Sequence, residues 1–261
     1  VKHAETPAIY TPPSYGRKGP QLATQLPPST PATEDEVSQL RTIVGSLLYY
    51  SLAVDSTILP AVCALACQQA CATAHTLKAA ERLLGYVAKH PNASITYRPS
   101  DMLLRAHSDA SFLSRPNSGS VAGGYQYLGN RQNNHAFNHP ILTFSTLIPV
   151  IVASATEAEY AAVYANCILA CDVRRTLANM GYPQPPTPIL TDNECAVGLA
   201  NGSLKIKMAK SINMRLHWVQ DRVKRNQFTV SYIPGSNNIA DFFTKPLPNQ
   251  SHHHLIPYLV N

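Results

Sequence analysis

The sequence predicts an α/β fold, a mixed sheet flanked by helices and preceded by a small helical unit. Three observations carry this. Over residues 34–92 the apolar residues recur at helical spacing. From residue 93 the chain changes to short extended runs parted by Gly, Asn and Pro. Beyond residue 154, helical stretches alternate with single strand-like runs, an order that packs helices on a sheet.

Each element has a local reason. Residues 1–33 are rich in proline and small polar residues and read as an arm or linker. Thr33 or Ser38 can cap a helix whose first turn carries Glu34, Asp35 and Glu36, charges that suit the helix dipole. Val37, Leu40, Ile43, Val44, Leu47 and Leu48 form its apolar stripe. A second helix is expected over 57–71 and a third over 74–90, ended by Pro91. The three can cover one another as a unit of residues 34–92. ASITYRP (93–99), MLLRAHSDA (102–110), GSVAGGYQYLG (119–129) and HPILTFSTLIPVIV (139–152) read as four runs of an antiparallel meander. A long helix follows over 155–180, closed by Gly181 and Pro183. PTPILTDNECAVGLAN (186–201) is a strand entering a helix, SINMRLHWVQDRVKRN (211–226) a helix and QFTVSYIP (227–234) a strand. SNNIADFFTK (236–245) makes a last short helix before Pro246. The sheet-forming domain is therefore 93–248, with a tail at 249–261.

Composition narrows the class. At 261 residues and 45% hydrophobic content the chain can bury a substantial core. Its net charge of +6, from 21 Lys and Arg against 15 Asp and Glu, fits a polyanionic partner. The positive charge gathers at 203–225, with Lys205, Lys207, Lys210, Arg215, Arg222, Lys224 and Arg225 against Asp221. Cys63, Cys67 and Cys71, and likewise Cys167 and Cys171, share helix faces, but no C-x-x-C pair occurs. They read as small packing thiols in a reducing compartment. His252, His253 and His254 are too short a run for a metal tract. No apolar segment reaches bilayer length and no signal-peptide pattern is present, so a soluble intracellular chain with no membrane partner is expected.

The carboxylates of 93–248 are few. Asp109 ends an early strand, Glu157 and Glu159 lie in the first turns of the long helix, Asp192 follows the strand PIL, and Asp241 lies in the last short helix. Each has a plain structural use. Asp109 can bond its own turn, Asp192 can cap the helix after it, the glutamates suit a helix N-terminus and Asp241 can face solvent. Together, on four elements, they can converge at one end of a sheet. Such a cluster suits hard divalent cations, and two cations can clamp a phosphodiester. Without metal the charges would repel and raise one another's pKa.

Four stretches resemble the ribonuclease H domain of copia-type retrotransposon polyproteins: SDAS (108–111), SATEAEYAAV (154–163), ILTDNECAVGLA (189–200) and YIPGSNNIADFFTKPLP (232–248). VGSLLYYSLAVDSTILPAV (44–62) and LKAAERLLGYVAKHP (77–91) resemble the thumb region of that family's reverse transcriptase. The resemblance covers residues 34–248, with its motifs in family order. It implies a ribonuclease H-like mixed five-stranded sheet behind a thumb-like helical segment. It also implies catalytic and metal-binding roles for Asp109, Glu159, Asp192 and Asp241, with Glu157 in reserve for Glu159. The implied reaction is hydrolysis of the RNA strand of an RNA–DNA hybrid with two Mg²⁺ ions, or Mn²⁺ as substitute, during reverse transcription in the cytoplasm or nucleus. The rest of the polyprotein, its polymerase fingers and palm, is the implied partner, since the chain contains no Tyr-x-Asp-Asp. The chain departs from the pattern at Ser111 and Phe112, where relatives commonly carry Asp and Trp, and at Ser211 and Asn213 in the basic motif.

Lys205, Lys207, Lys210 and Arg215 are the candidate phosphate contacts, and Asn193 a candidate for sensing the 2′-hydroxyl. Trp218 belongs with Ile212, Leu216, Val219 and Val223 in an apolar stripe. The alternative from another class is a catalytically inactive module that retains the fold and binds nucleic acid or a protein.

Overall fold

The computed structural model describes residues 3–12, 29–131, 138–204 and 210–261, with backbone alone for 210–213. Lys205 and Lys207, and the side chain of Lys210, lie outside the described residues. The chain forms two compact units, one of residues 1–96 with 245–261 and one of residues 97–244.

The first unit is helical. Helix α1 spans Glu34–Ala53, α2 Leu59–Ala66 and α3 Ala74–Lys89. Thr33 caps α1 reciprocally: its hydroxyl accepts the Glu36 N–H at 3.3 Å, and the Glu36 carboxylate accepts the Thr33 N–H at 2.8 Å. Leu40, Val44, Ile58, Val62, Leu83 and Tyr86 are buried between the helices. The single helix expected over 57–71 is instead three pieces, a 3₁₀ turn at Ser56–Ile58, α2, and a second 3₁₀ turn at Gln69–Cys71. Asp55 starts the first piece by accepting the Thr57 N–H at 3.0 Å, and Pro60 occupies the first turn of α2.

The second unit holds the sheet. Strands β1 (Leu103–Arg115), β2 (Gly119–Gly129), β3 (Pro140–Leu147), β4 (Thr187–Thr191) and β5 (Phe228–Tyr232) lie in the order β3-β2-β1-β4-β5. β1–β2 and β2–β3 pair antiparallel, while β1–β4 and β4–β5 pair parallel. Helices α4 (Ala155–Asn179), α5 (Glu194–Ala200) and α6 (Lys210–Lys224) complete it. This is the mixed five-stranded sheet with flanking helices, preceded along the chain by a helical unit, that the sequence predicts. Leu104, Ala106, Tyr160, Val163, Ile189, Val219 and Phe228 are buried in its main core.

The expected meander has three strands rather than four. Residues 93–99 are not a strand. The backbone N–H and C=O of Arg98 bond the side chain of Asn138 at 3.0 and 2.9 Å, which replaces a ladder. The β1–β2 turn has Asn117 and Ser118 at φ 56° and 57°, the paired left-handed conformation that matches strand twist. A bulge interrupts the register between Ser111 and Arg115, with Leu113 at φ 51°.

The last predicted helix is shorter and tighter than expected, two 3₁₀ turns at Gly235–Asn237 and Ile239–Phe243. In the first unit a further helix, α7 (Asn249–Leu255), lies where the sequence suggests only a tail. Its His252 is buried edge-on against Tyr86 at 6.0 Å between ring centres. All six cysteines are free thiols. Cys167 is buried, but Cys67 and Cys71 are exposed, so those two do not pack as expected. Among the described residues, no helix is long and apolar enough to cross a membrane.

Candidate active site

Sheet register positions the first two carboxylates. His107 on β1 lies level with Leu190 on β4, and those strands run parallel. Asp109 and Asp192 each stand two residues beyond that matched pair, so the two lie level on neighbouring chain segments, although β1, expected to end at Asp109, runs on beside β2 to Arg115. Asp109 is 3% exposed. Glu159 comes from α4, which begins where Ser154 accepts the Glu157 N–H at 3.2 Å. Its carboxyl lies across both strands, bonded by the Ala110 amide of β1 and by the Thr191 hydroxyl of β4 at 3.4 Å. One oxygen from each of Asp109, Glu159 and Asp192 falls within 4.8 Å of the other two.

Of the two helix glutamates, Glu159 enters this cluster. Glu157 accepts the Ala153 N–H at 2.7 Å and thereby finishes the helix end. The helix cap expected of Asp192 belongs to its neighbour: Asn193 accepts the Ala196 N–H at 2.9 Å and starts α5. This capping bond also takes up the oxygen of the side chain suggested for sensing a 2′-hydroxyl. Arg215, on α6, holds its guanidinium 5.6 Å from the ring centre of Tyr164 on α4.

Asp241 is half-buried on the Ile239–Phe243 turn and is not one of the three clustered carboxylates. Its segment is nevertheless fastened to β1 at both ends. At the start, His107 Nδ1 accepts the Ile239 N–H at 3.3 Å. Asn238 donates to the Ser108 carbonyl at 3.0 Å and accepts the Ala240 N–H at 3.2 Å. At the end, the Thr244 hydroxyl donates to Asp109 Oδ2 at 2.5 Å, and Ser111 donates to the Thr244 carbonyl at 2.8 Å. Gly123, opposite Asp109 on β2, permits this approach, because a Cβ there would meet Thr244 Cγ2 at 2.7 Å. Gly235 similarly lets the preceding loop lie against Asp192.

None of these supporting residues stands out in the sequence. Thr191, Ser111 and Thr244 are small polar residues in motifs read for their acids. The asparagine before Ile239 carries the clearest signal, as a helix-capping residue immediately before the Ile239–Phe243 turn that holds Asp241.

The electrostatics follow from the crowding. Burial, then the charges of Asp109 and Asp192, push the Glu159 carboxyl well above the usual carboxylate range. An acid of that kind keeps its proton until positive charge arrives. Three convergent carboxylates offer only hard oxygen donors, the set that Mg²⁺ and Mn²⁺ prefer. The residues present therefore fit a divalent cation. Nearby, burial pushes the His107 imidazole down to about 4, which leaves it neutral and able to accept the Ile239 N–H.

No protein-family model matches the chain. It is 29% identical over 213 residues to the retrovirus-related Pol polyprotein from transposon RE1 of Arabidopsis thaliana, covering 80% of this chain and 14% of that protein. It is 24% identical over 172 residues to the Pol polyprotein from transposon TNT 1-94 of Nicotiana tabacum, covering 66% and 12%. Among solved structures, the N-terminal RNase H domain of Rv2228c from Mycobacterium tuberculosis aligns over 60% of this chain and 97% of that one, at 16% identity and a TM-score of 0.40. The chain thus spans only 12–14% of the length of these curated relatives. By sequence, then, this chain is similar to the Pol polyproteins of the plant transposons RE1 and TNT 1-94.

Proposed function

We propose that the chain is a metal-dependent ribonuclease H, which hydrolyses the RNA strand of RNA–DNA hybrids during retrotransposon reverse transcription. The observation that carries this is the meeting of Asp109, Glu159 and Asp192 within 4.8 Å, in a relative of transposon Pol polyproteins.

In this reading Asp109, Glu159 and Asp192 hold Mg²⁺, and Asp241 on the fastened 3₁₀ turn is the fourth ligand. When bound, the two cations supply an activated water and stabilise the departing oxygen of the phosphodiester. The protein's own share is placement and charge. Strands β1 and β4 set two carboxylates side by side, and α4 brings the third across them. Glu159 gives up its proton when a cation offsets the charge of its neighbours. Lys205, Lys207, Lys210 and Arg215 are proposed to contact phosphates, which confers affinity without sequence preference. The polymerase portion of the polyprotein is the proposed partner, and the cell interior the proposed location.

The test is cleavage of end-labelled RNA in a hybrid, with Mg²⁺ or with a chelator. Cleavage should require the metal and should fall in Asp192→Asn by more than the roughly 100-fold that loss of an outer-shell partner costs. An unchanged rate in that variant would refute the site. Hybrid binding with no cleavage and no metal uptake would mark an inactive binding module.

A further inference from the structure

We propose that Thr244 is a positioning residue for the carboxylate cluster, fixing the orientation in which Asp109 meets a divalent cation. The inference rests on the metal-site reading above and deepens it.

A carboxylate on a short side chain can rotate about its last bond and present its oxygens in many directions. The Thr244 hydroxyl has one proton and two acceptors in range, Asp109 Oδ2 at 2.5 Å and the Asp241 carbonyl at 3.1 Å. The shorter, charged acceptor takes the proton. That bond sets the plane of the Asp109 carboxylate.

Thr244 is itself held at three points. It is fully buried. Its Cγ2 lies where a side chain on Gly123 would stand, which selects one rotamer of a β-branched residue. Its carbonyl accepts from Ser111 at 2.8 Å. Hydroxyl, methyl and carbonyl thus each have a fixed neighbour, and the hydroxyl points at Asp109. Ser111 gains a use by the same argument: a serine there can donate to the Thr244 carbonyl, which an aspartate carboxylate cannot. Hydrogen bonds of this kind, made to a metal ligand by a residue behind it, tune affinity by roughly 10–100-fold.

The experiment is calorimetric titration of the full chain with Mn²⁺, together with the Mn²⁺ concentration that gives half-maximal hybrid cleavage. Variants are Thr244→Val, Thr244→Ala, Thr244→Ser and Asp109→Asn, each checked for fold by near-UV circular dichroism. Thr244→Val and Thr244→Ala should weaken Mn²⁺ binding roughly 10-fold or more, with the KM for hybrid little changed. Thr244→Ser, which keeps the hydroxyl, should recover most of the loss. Wild-type affinity in a folded Val or Ala variant overturns the proposal, as does a Ser variant no better than these, provided Asp109→Asn has lost binding. If Asp109→Asn binds Mn²⁺ like the wild type, the metal-site reading fails instead, and the Thr244 role with it.

Discussion

Asn166 donates its side-chain N–H to the carbonyl oxygen of His107 at 2.8 Å, and both residues are completely buried. Its oxygen accepts from Gln126 at 2.8 Å, so one carboxamide joins α4 to β1 and β2. Glu159 lies on the same helix and Asp109 on the same strand, which makes this bond a brace for the distance between them. Asn166→Ala would leave the His107 carbonyl and the Gln126 amide without it. Gln126 keeps its 3.2 Å bond to the Asn166 backbone carbonyl, so each of the two lost hydrogen bonds costs about 0.5–1.5 kcal/mol. Urea unfolding should show a markedly lower midpoint, and an unaltered midpoint would mean the brace is dispensable.

Gly123→Ala tests the packing between the sheet and the Asp241 segment. The added methyl would meet Thr244 Cγ2 at 2.7 Å, Phe243 Cβ at 2.9 Å and the Ala240 carbonyl at 3.1 Å. Backbone and buried groups yield poorly, so overpacking of about 1–3 kcal/mol is expected. The thermal midpoint should fall, and hybrid cleavage should fall further than stability alone explains. Retention of both would show that the segment moves freely.

Removing metal should invert the usual pH response of the site. The folded pKa of Glu159 lies above its unfolded value, so the native state binds more protons between the two. Its stabilising contribution is complete below the ordinary glutamate range and is lost as pH rises through the folded value. In chelator the melting temperature should therefore decline over that window. Mg²⁺ should raise it, by an increment that grows with pH. Glu159→Gln should flatten the chelator profile, and an identical slope in the variant would discredit the cluster as its source.

Acid should act on His107 in the opposite sense. Its folded pKa of about 4 lies below the ordinary 6.5. The unfolded chain binds more protons between those values, so stability is lost as pH falls from 6.5 towards 4. His107→Asn keeps an acceptor for the Ile239 amide but cannot titrate. It should reduce the acid sensitivity of the second unit, followed by Trp218 fluorescence. His252, with the same depressed value, acts in the first unit and is not touched by this substitution.

The sequence made the strands of the second unit legible because short extended runs are parted by turn residues, as Pro116 and Asn117 part β1 from β2. It misjudged 93–99, where Ile95 and Tyr97 look strand-like but the backbone is satisfied by the Asn138 side chain. Asp192 and Glu159 could be picked out by their place after a strand and at a helix start, whereas Asp109, expected at a strand end, lies midway along β1. Choosing Glu159 over Glu157 rested on a resemblance, and the geometry gives a separate reason, since Glu157 is occupied with the Ala153 amide. The bonds that brace the site were not legible. Asn166, Gln126, Asn238 and Thr244 meet partners 40 to 135 residues away, and no local pattern announces such a meeting.

Strand order has a consequence for how the protein is born. β4 adds beside β1 rather than beyond β3, and it begins about seventy residues after β1 ends, whereas β2 and β3 follow β1 directly on the other flank. On a ribosome that releases the chain from its N-terminus, β1 to β3 can form a sheet while the far side of β1 is still an open edge. Such an edge invites pairing with another chain, and closing it requires a slow, long-range contact. The nascent chain thus passes through an interval of vulnerability to aggregation, which lasts until Thr187–Thr191 arrives to close that edge.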